Sequence, residues 1–338
     1  MSDSLLRVEH LEISYLTGSS TRRSENTKDQ QRLGAVRDVS FDIGEGSIFG
    51  LVGESGCGKS SIAQAAAQLV PLSGGNIHFR DRDLASMNHA ERRVAQKEIQ
   101  LVFQDSMAAL SPRRRVRQTL REPLDHFRLG EKTGRDHTVR LLLKEVGLSE
   151  DTLSAYPHEL SGGQRQRVAI ARALAAKPSL IIADEPVSSL DVSVQDRIIK
   201  LLRRLRDKMG VSFLLISHDL AVVNQLADDI GVMYLGMMVE KGPAAEVFGN
   251  PAHPYTEALL RAVPKPLPGQ KGKLIGLSGD PPSPLTPPPG CVFHSRCERV
   301  MAHCSKSKPG KHTISNVHTE YDQKQRIPHE SRCFLHEQ

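Results

Sequence analysis

The chain has 338 residues, 38% of them hydrophobic and 25% charged, with a formal net charge of +6 at pH 7. This composition is ordinary for a globular protein, and the length suits one large domain or one domain with an appendage. No apolar run approaches the roughly 20 residues of a membrane-spanning helix, and residues 1–4 show no signal peptide. We therefore expect a cytosolic protein whose basic balance indicates a solvated surface, an anionic membrane contact or nucleic acid.

The N-terminal region has the pattern of β-structure. Residues 5–15 alternate apolar and polar side chains, as a half-buried strand does. Residues 17–34 are polar without an apolar period and predict a surface excursion. Residues 36–48 alternate again and predict a hairpin that turns at residues 44–46. The continuous apolar run at 48–52 predicts a strand buried on both faces.

The middle of the chain alternates helical patterns with short apolar runs. Helices are predicted over residues 61–70, 164–176 and 193–209, and buried strands over 180–183 and 213–216. This βαβ rhythm indicates a parallel sheet with right-handed crossovers, and thus an α/β fold. Residues 113–159 are also helical in pattern, and they predict an inserted helical subdomain within about residues 105–175.

The composition changes near residue 264. A short stretch is crowded with proline, at Pro281, Pro282, Pro284, Pro287, Pro288 and Pro289. This crowding predicts a linker or an extended wrap instead of a helix. We therefore divide the chain into a domain at residues 5–250 and a proline- and cysteine-rich C-terminal extension at residues 251–338.

Residues 53–60 fit G-x-x-x-x-G-K-S/T, the phosphate-binding loop (P-loop) of many NTPases. Its glycines let backbone N–H groups converge on phosphate oxygens, and the next helix adds its positive N-terminus. Lys59 would bring a positive charge to the transferred phosphoryl group, and the Ser60 hydroxyl would bind Mg²⁺. The predicted nucleotide-binding residues of this loop are Gly53, Glu54, Ser55, Gly56, Cys57, Gly58, Lys59, Ser60 and Ser61.

An acidic pair ends the predicted apolar strand at 180–183. Its position directs the Asp184 carboxylate toward the metal, and it places Glu185 where a carboxylate can polarise the attacking water. The alternative is a solvated acidic pair at a strand end. The upstream P-loop favours the catalytic interpretation.

The run 160–164, Leu-Ser-Gly-Gly-Gln, opens the predicted helix at 164–176 and forms a second anion site at a helix N-terminus. P-loop, this run and the acidic pair, in that order, closely resemble the ATP-binding cassette (ABC) ATPases over residues 5–250. The resemblance implies a P-loop NTPase (RecA-like) core with a small antiparallel β subdomain and the inserted helical subdomain. It also implies a dimer in which Ser161, Gly162, Gly163 and Gln164 of one subunit close over ATP held by the other.

The same resemblance implies roles for isolated residues. Tyr15 looks like the aromatic residue that stacks on adenine, although a tyrosine ending a strand is also common packing. Gln104 resembles the Q-loop glutamine, which senses Mg²⁺ and the membrane partner. Residues 189–191 resemble the D-loop, which includes Asp191, and His218 resembles the switch histidine that contacts the γ-phosphate. With Lys59 and Glu185, His218 completes the expected catalytic set.

Two segments resemble the ATPases of oligopeptide and dipeptide importers. Residues 103–113 are similar to FQDP-x-x-SLNPR, with departures that include Ser106 and Ser111, and residues 253–259 are similar to HPYT-x-x-L. The resemblance is greater to the F-type than to the D-type ATPase of these systems.

It implies a D-type paralogue as partner, two permease subunits, indirectly a solute-binding protein, and a peripheral location at the cytoplasmic face of the inner membrane. The transported solute is not fixed by the resemblance, and nickel, glutathione or an opine-like molecule are alternatives to a peptide. A DNA-repair ABC ATPase is disfavoured because the insertion has no sustained heptads, so no nucleic acid is expected.

Four cysteines lie in the extension with the spacing C-x5-C-x6-C-x28-C, at Cys291, Cys297, Cys304 and Cys333. A small proline-rich segment has little core, and thiolate ligation of a metal would stabilise it. The spacing differs from the C-x2-C of a zinc ribbon. Similar tails in peptide-importer ATPases carry a 4Fe–4S cluster, which we expect here. Zinc and free thiols are the alternatives.

Overall fold

The computed structural model describes residues 4–17, 31–188, 190–263, 277, 279–314 and 327–337. Its strands are β1 Ser4–Thr17, β2 Gln31–Gly44, β3 Ile48–Val52, β4 Gly74–Phe79, β5 Arg82–Asp83, β6 Ile99–Val102, β7 Leu180–Asp184, β8 Ser212–Ser217, β9 Asp229–Tyr234, β10 Met237–Pro243, β11 His312–Thr313 and β12 Glu330–Ser331. Its α-helices are α1 Lys59–Ala66, α2 His89–Glu98, α3 Ser106–Ala109, α4 Val116–His126, α5 Arg135–Glu145, α6 Gly162–Ala175, α7 Val192–Met209, α8 Leu220–Leu226, α9 Ala244–Gly249 and α10 Pro254–Ala262.

The larger sheet has the strand order β11-β12-β10-β9-β3-β8-β7-β6. From β9 to β6 the pairs are parallel, as the βαβ rhythm predicts, and the C-terminal strands add antiparallel pairs. Every residue of β3, β7 and β8 is buried, because helices α6, α7 and α8 cover one face of this sheet while α1 and strands β1 and β2 cover the other. The chain therefore has the α/β fold of a P-loop NTPase with a mixed sheet.

The smaller sheet is antiparallel, with the order β2-β1-β4-β5. The hairpin predicted over residues 36–48 is wrong, because β2 pairs with β1 while β3 enters the centre of the larger sheet. Apolar and polar residues alternate in β2 because only one face of this strand is buried. The residues of β3 are continuously apolar because both of its faces are buried. Of the surface excursion predicted at 17–34, Thr17 and residues 31–34 belong instead to strands β1 and β2, and residues 18–30 lie outside the described residues.

The region between β6 and β7 is mainly helical. Helices α4 and α5 pack against α6 through Leu120, Leu124, Val139, Leu143 and Leu174, all of them buried. Three 3₁₀ segments connect these helices, at Lys132–Gly134, Glu150–Ser154 and Pro157–Glu159. Helix α6 therefore links the helical region to the end of the larger sheet, where β6 is the edge strand and β7 lies beside it.

The C-terminal residues that the structure describes pack onto the core. Two further 3₁₀ segments occur here, His294–Arg296 and Phe334–His336. The proline-rich stretch 281–289 contains neither helix nor strand. Strand β12 pairs with β10, a junction that the sequence analysis missed. In the described part of the chain, no helix combines the length and the apolar character needed to cross a membrane.

Candidate nucleotide-binding and catalytic site

The P-loop connects β3 to α1, where the sequence predicts it. Gly53 has a φ of 151°, and a Cβ there would lie 2.1 Å from the carbonyl oxygen of Met233, so this position requires glycine. Lys59 is buried, and its Nζ donates to the carbonyl oxygens of Gly53 at 2.7 Å and Glu54 at 2.9 Å. The Lys59 side chain is therefore folded back onto the P-loop, where it would contact the phosphates.

The remaining loop residues divide by exposure. Ser55, Gly56 and Ser60 are exposed, while Cys57 is buried beneath the loop. Burial raises the pKa of the Cys57 thiol, and Lys59 opposes that rise. Cys57 is therefore a packing residue in this structure.

Asp184 lies at the end of β7, beside the start of α1. Its Oδ1 is buried without a hydrogen-bond partner among the described residues, and Ser60 is close enough to its carboxylate to lower the pKa. Burial raises the pKa of Asp184; the Ser60 hydrogen bond lowers it, the charge of Glu185 raises it and Lys59 lowers it. A buried carboxylate oxygen beside a serine hydroxyl is an oxygen donor set that suits Mg²⁺.

Glu185 is the centre of a three-residue cluster. Its Oε1 lies 3.0 Å from His218 Nδ1, and its Oε2 accepts a hydrogen bond from Gln104 Nε2 at 2.7 Å. The backbone of Glu185 has a φ of 47°, a conformation that costs energy in a residue other than glycine. Three residues from three loops, each singled out in the sequence, thus meet around one carboxylate.

The Leu-Ser-Gly-Gly-Gln run forms the start of α6. Ser161 and Gln164 make a reciprocal capping box, with Ser161 Oγ accepting from Gln164 N–H at 3.3 Å and Gln164 Oε1 accepting from Ser161 N–H at 2.9 Å. A Cβ on Gly163 would lie 2.3 Å from Val194 Cγ1, so glycine allows α6 to pack closely on α7. Ser161 itself is exposed, which leaves this helix N-terminus accessible.

Two other predicted residues have structural contacts. Asp191 is the N-cap of α7, and its Oδ1 accepts from Val194 N–H at 3.0 Å and from Ser193 Oγ at 2.8 Å. These hydrogen bonds lower the pKa of Asp191. Ser189 lies outside the described residues. Tyr15, on β1, donates from its hydroxyl to Ser61 Oγ at 3.1 Å, so its ring lies beside the N-terminal turn of α1.

The structure reveals a P-loop contact that the sequence analysis missed. Arg296, in the C-terminal extension, binds both carboxylate oxygens of Glu54, at 2.7 and 3.0 Å. Tyr255, from α10, accepts a hydrogen bond from the Glu54 N–H at 3.0 Å. Because 242 residues separate Arg296 from Glu54, no local pattern signals this pair.

The four cysteines of the extension are free thiols. Cys304 and Cys333 are buried, and the Cys291 N–H donates to the Cys304 carbonyl oxygen at 2.7 Å. Burial raises the pKa of Cys291 to about 11, and the other three cysteines add to the rise, so the thiols are close enough to interact. Among the described residues, however, no three His, Cys, Asp or Glu side chains converge as ligands of one metal ion. The structure therefore does not support the predicted metal centre.

Comparisons with protein families agree with the order of these elements. The family described as "ABC transporter" matches residues 36–188. The family described as "Oligopeptide/dipeptide transporter, C-terminal region" matches residues 239–304. Together the two matches include the P-loop, Gln104, Glu185 and the segment that carries Arg296.

Individual relatives match most of the chain. The "Oligopeptide transport ATP-binding protein OppF" of Haemophilus influenzae is 43% identical over 318 residues, which are 93% of this chain and 95% of the relative. The "Dipeptide transport ATP-binding protein DppF" of Escherichia coli is 44% identical over 276 residues, which are 81% of this chain and 82% of the relative.

Among solved structures, the dimeric post-hydrolysis state of the ATP-binding cassette MJ0796, bound to ADP and Pi, is similar in fold. The TM-score is 0.62 at 26% sequence identity, with coverage of 71% of this chain and 98% of that chain. These similarities and the geometry of the P-loop and Glu185 lead to one conclusion: this chain belongs to the ATP-binding subunits of ABC transporters, and it is an ATPase.

Proposed function

We propose that this chain is the ATPase subunit that energises a multi-subunit importer of dipeptides or oligopeptides. The convergence of Gln104 and His218 on Glu185 is the observation that supports the proposal, because a carboxylate held in this way next to Asp184 could polarise the attacking water. The names of the relatives and the match at residues 239–304 support peptides as the solute class. Nickel, glutathione or another small solute is the alternative within the same family.

The residues present suit hydrolysis of Mg²⁺-bound ATP. Lys59 and the loop amides would hold the phosphates, while Ser60, Gln104 and Asp184 would hold Mg²⁺, which neutralises charge on the phosphoryl oxygens. Glu185 would orient and polarise the attacking water. His218, hydrogen-bonded to Glu185, would contact the γ-phosphate, and Tyr15 would stack on the adenine.

We further propose that two ATPase subunits act together. The exposed N-terminus of α6 offers N–H groups to an anion, and the solved cassette with ADP and Pi is a dimer. In a dimer, Ser161 of one subunit would close over ATP of the other, and the F-type resemblance favours a D-type paralogue as that partner. Ser161→Arg should then retain ATP binding but lose hydrolysis, whereas a variant that still hydrolyses at the wild-type rate would contradict a shared site.

Two permease subunits are the proposed membrane partners, with a solute-binding protein acting through them. A cavity of about 380 Å³ lies between the sheet and the helical region, lined partly by Phe103, Leu110, Pro123 and Phe127. Its position next to Gln104 suits a permease segment that reports to the catalytic cluster. On this basis the chain would lie peripherally at the cytoplasmic face of the inner membrane.

Reconstitution with its co-purifying membrane chains tests the proposed solute. In proteoliposomes, a panel of dipeptides and longer peptides presented with the solute-binding protein should stimulate ATP hydrolysis, and Glu185→Gln should abolish that stimulation. Stimulation by nickel or glutathione alone would replace the peptide assignment. Salt-titrated binding to DNA would instead indicate a nucleic-acid function.

We also propose that the four cysteines ligate a 4Fe–4S cluster, with zinc as the alternative. The support is the spacing of the cysteines and the resemblance of this segment to the tails of peptide-importer ATPases. The described residues contain no set of side chains arranged to bind a single metal ion. This counts against zinc more than against a cluster, because a cluster holds its thiolates farther apart than a single ion does. Anaerobically purified protein should be brown with four irons per chain; a colourless protein with bound zinc would exclude the cluster.

A further inference from the structure

Glu54, the second residue of the P-loop, is held at three points. Its carboxylate binds the guanidinium of Arg296, and its N–H donates to the Tyr255 hydroxyl. Its carbonyl oxygen accepts from Lys59 Nζ at 2.9 Å. Two of the three partners come from the C-terminal extension, and the third is the lysine of the nucleotide site. Any movement of the extension at this point would therefore reach the P-loop directly.

The contact between Arg296 and Glu54 is a buried ion pair and not a surface ion pair. The Arg296 side chain is 4% exposed, and its two terminal nitrogens bind separate oxygens of Glu54. Such a bidentate pair is strong and fixes the relative orientation of both groups. The hydrogen bonds to Glu54 are also the main reason that the pKa of Arg296 lies above its ordinary value. Exposed pairs nearby, such as Arg261 with Glu298 at 3.0 Å, lack this burial.

Aromatic packing keeps Arg296 in place. Phe293, one turn earlier, lies with its ring centroid 5.3 Å from those of both Tyr234 and Tyr255. Arg296 also donates to the Tyr234 hydroxyl at 3.3 Å. Tyr234 ends β9, directly beneath Gly53, whose close neighbour is the Met233 carbonyl. The extension thus docks on the strand that supports the P-loop.

The charge of Glu54 gives this docking a consequence for nucleotide binding. A carboxylate within a phosphate-binding loop repels the phosphates of ATP unless a cation offsets it. Arg296 supplies that cation from outside the loop, in the C-terminal extension. Arg296 also holds Glu54 in the position in which the Glu54 carbonyl oxygen accepts a hydrogen bond from Lys59 Nζ.

We propose that Arg296 is a positioning residue for the ATPase reaction: it neutralises and anchors Glu54, with Tyr255 as a second anchor, so that the P-loop binds ATP. The inference rests on ATP binding at the P-loop and is independent of the transported solute. It assigns to the extension a direct role in nucleotide affinity.

The test is a double-mutant cycle in the full-length chain, with KM for ATP and kcat as readouts. Arg296→Gln should raise KM about tenfold, because it leaves the Glu54 charge unneutralised within the phosphate-binding loop, while kcat stays within about twofold. Glu54→Gln should relieve most of that increase in the double variant. Arg296→Lys should be intermediate, because lysine keeps the charge but cannot bind two oxygens at once.

Arg261→Gln is the matched control, since it removes an arginine from an exposed pair of the same extension, and it should leave KM unchanged. An unchanged KM in Arg296→Gln, or an increase that Glu54→Gln does not relieve, would overturn the proposal. If Arg296→Gln fails to fold, Tyr255→Phe is the deciding variant. Its KM for ATP should rise about threefold if the hydroxyl anchors Glu54, and an unchanged KM would overturn the proposal that the extension anchors Glu54. Wild-type protein that binds no ATP would instead refute the ATPase assignment itself.

Discussion

Two glutamate–histidine pairs in this molecule have nearly the same distance between carboxylate oxygen and ring nitrogen but different surroundings. Glu185 lies 3.0 Å from His218 at the nucleotide site, where the His218 side chain is 51% exposed. Glu240 lies 2.8 Å from His329 at the junction between β10 and the C-terminal extension, where both side chains are almost fully buried. The first pair is open to a ligand, whereas the second has its neighbours fixed by the fold.

The difference in burial supports the proposed catalytic role of the exposed pair, and it suits the buried pair to stability. At the junction, Glu240 also accepts from the N–H groups of Ala252 and His253, at 2.7 and 2.9 Å. All three donors come from the chain itself, and the burial of both side chains keeps this pair away from solvent in the described structure. At the nucleotide site, the strained backbone of Glu185 is the kind of local cost that functional sites retain.

The largest expected effect is at the open pair. Glu185→Gln keeps the shape of the side chain but removes the charge that polarises water, so kcat should fall on the order of 10³-fold. ATP binding and the free energy of unfolding should change little, because the hydrogen-bonding shape is retained. Steady-state hydrolysis, nucleotide binding and urea unfolding measure the three quantities. Wild-type turnover in this variant would show that Glu185 does not position the water.

The buried pair should respond in the opposite way. Glu240→Gln replaces one acceptor oxygen with an NH₂ group that faces N–H donors, so the free energy of unfolding should fall by about 3 kcal/mol. Below the new melting temperature, kcat should remain close to that of wild type. Glu298→Gln, at an exposed ion pair, is the control and should cost well under about 1 kcal/mol. Loss of turnover without loss of stability would reverse the comparison.

A pH effect of intermediate size is expected from His253, which is buried at the same junction. Burial lowers the pKa of His253 to about 4; Glu240 opposes the shift and His336 adds to it. The unfolded chain binds a proton at this histidine below its ordinary pKa of about 6.5, while the folded chain stays neutral. Stability should therefore fall as the pH falls, by about 2 kcal/mol between about pH 7.5 and about pH 5.

His253→Asn isolates that contribution. His253 is the N-cap of α10, with Nδ1 accepting from the Tyr255 N–H at 3.1 Å, and asparagine can cap in the same way without titrating. Urea unfolding of both proteins across this pH range should show a flatter curve for the variant. Parallel curves would mean that another group at the junction takes up the proton.

The same contrast explains what could be predicted from the sequence. The P-loop and the Asp184–Glu185 pair are runs of adjacent residues, so their chemistry is visible locally, and the predicted ATPase is confirmed. The contacts of Arg296 with Glu54 and of His329 with Glu240 join residues 242 and 89 positions apart. The failed hairpin at 36–48 has a related cause, because alternation shows that one face of a strand is buried but not which strand lies beside it.

Substitutions of Tyr15 should give the smallest effect. Tyr15 combines features of both types of site, because its hydroxyl is hydrogen-bonded to Ser61 while its ring would contact the nucleotide. Tyr15→Phe removes only the hydrogen bond to Ser61, so it should cost about 1 kcal/mol of stability or less and leave KM for ATP nearly unchanged. Tyr15→Ala also removes the ring, and KM should rise about tenfold if the ring stacks on adenine. Equal KM values for the two variants would assign Tyr15 to packing alone, because the hydroxyl and the ring would then contribute only through α1.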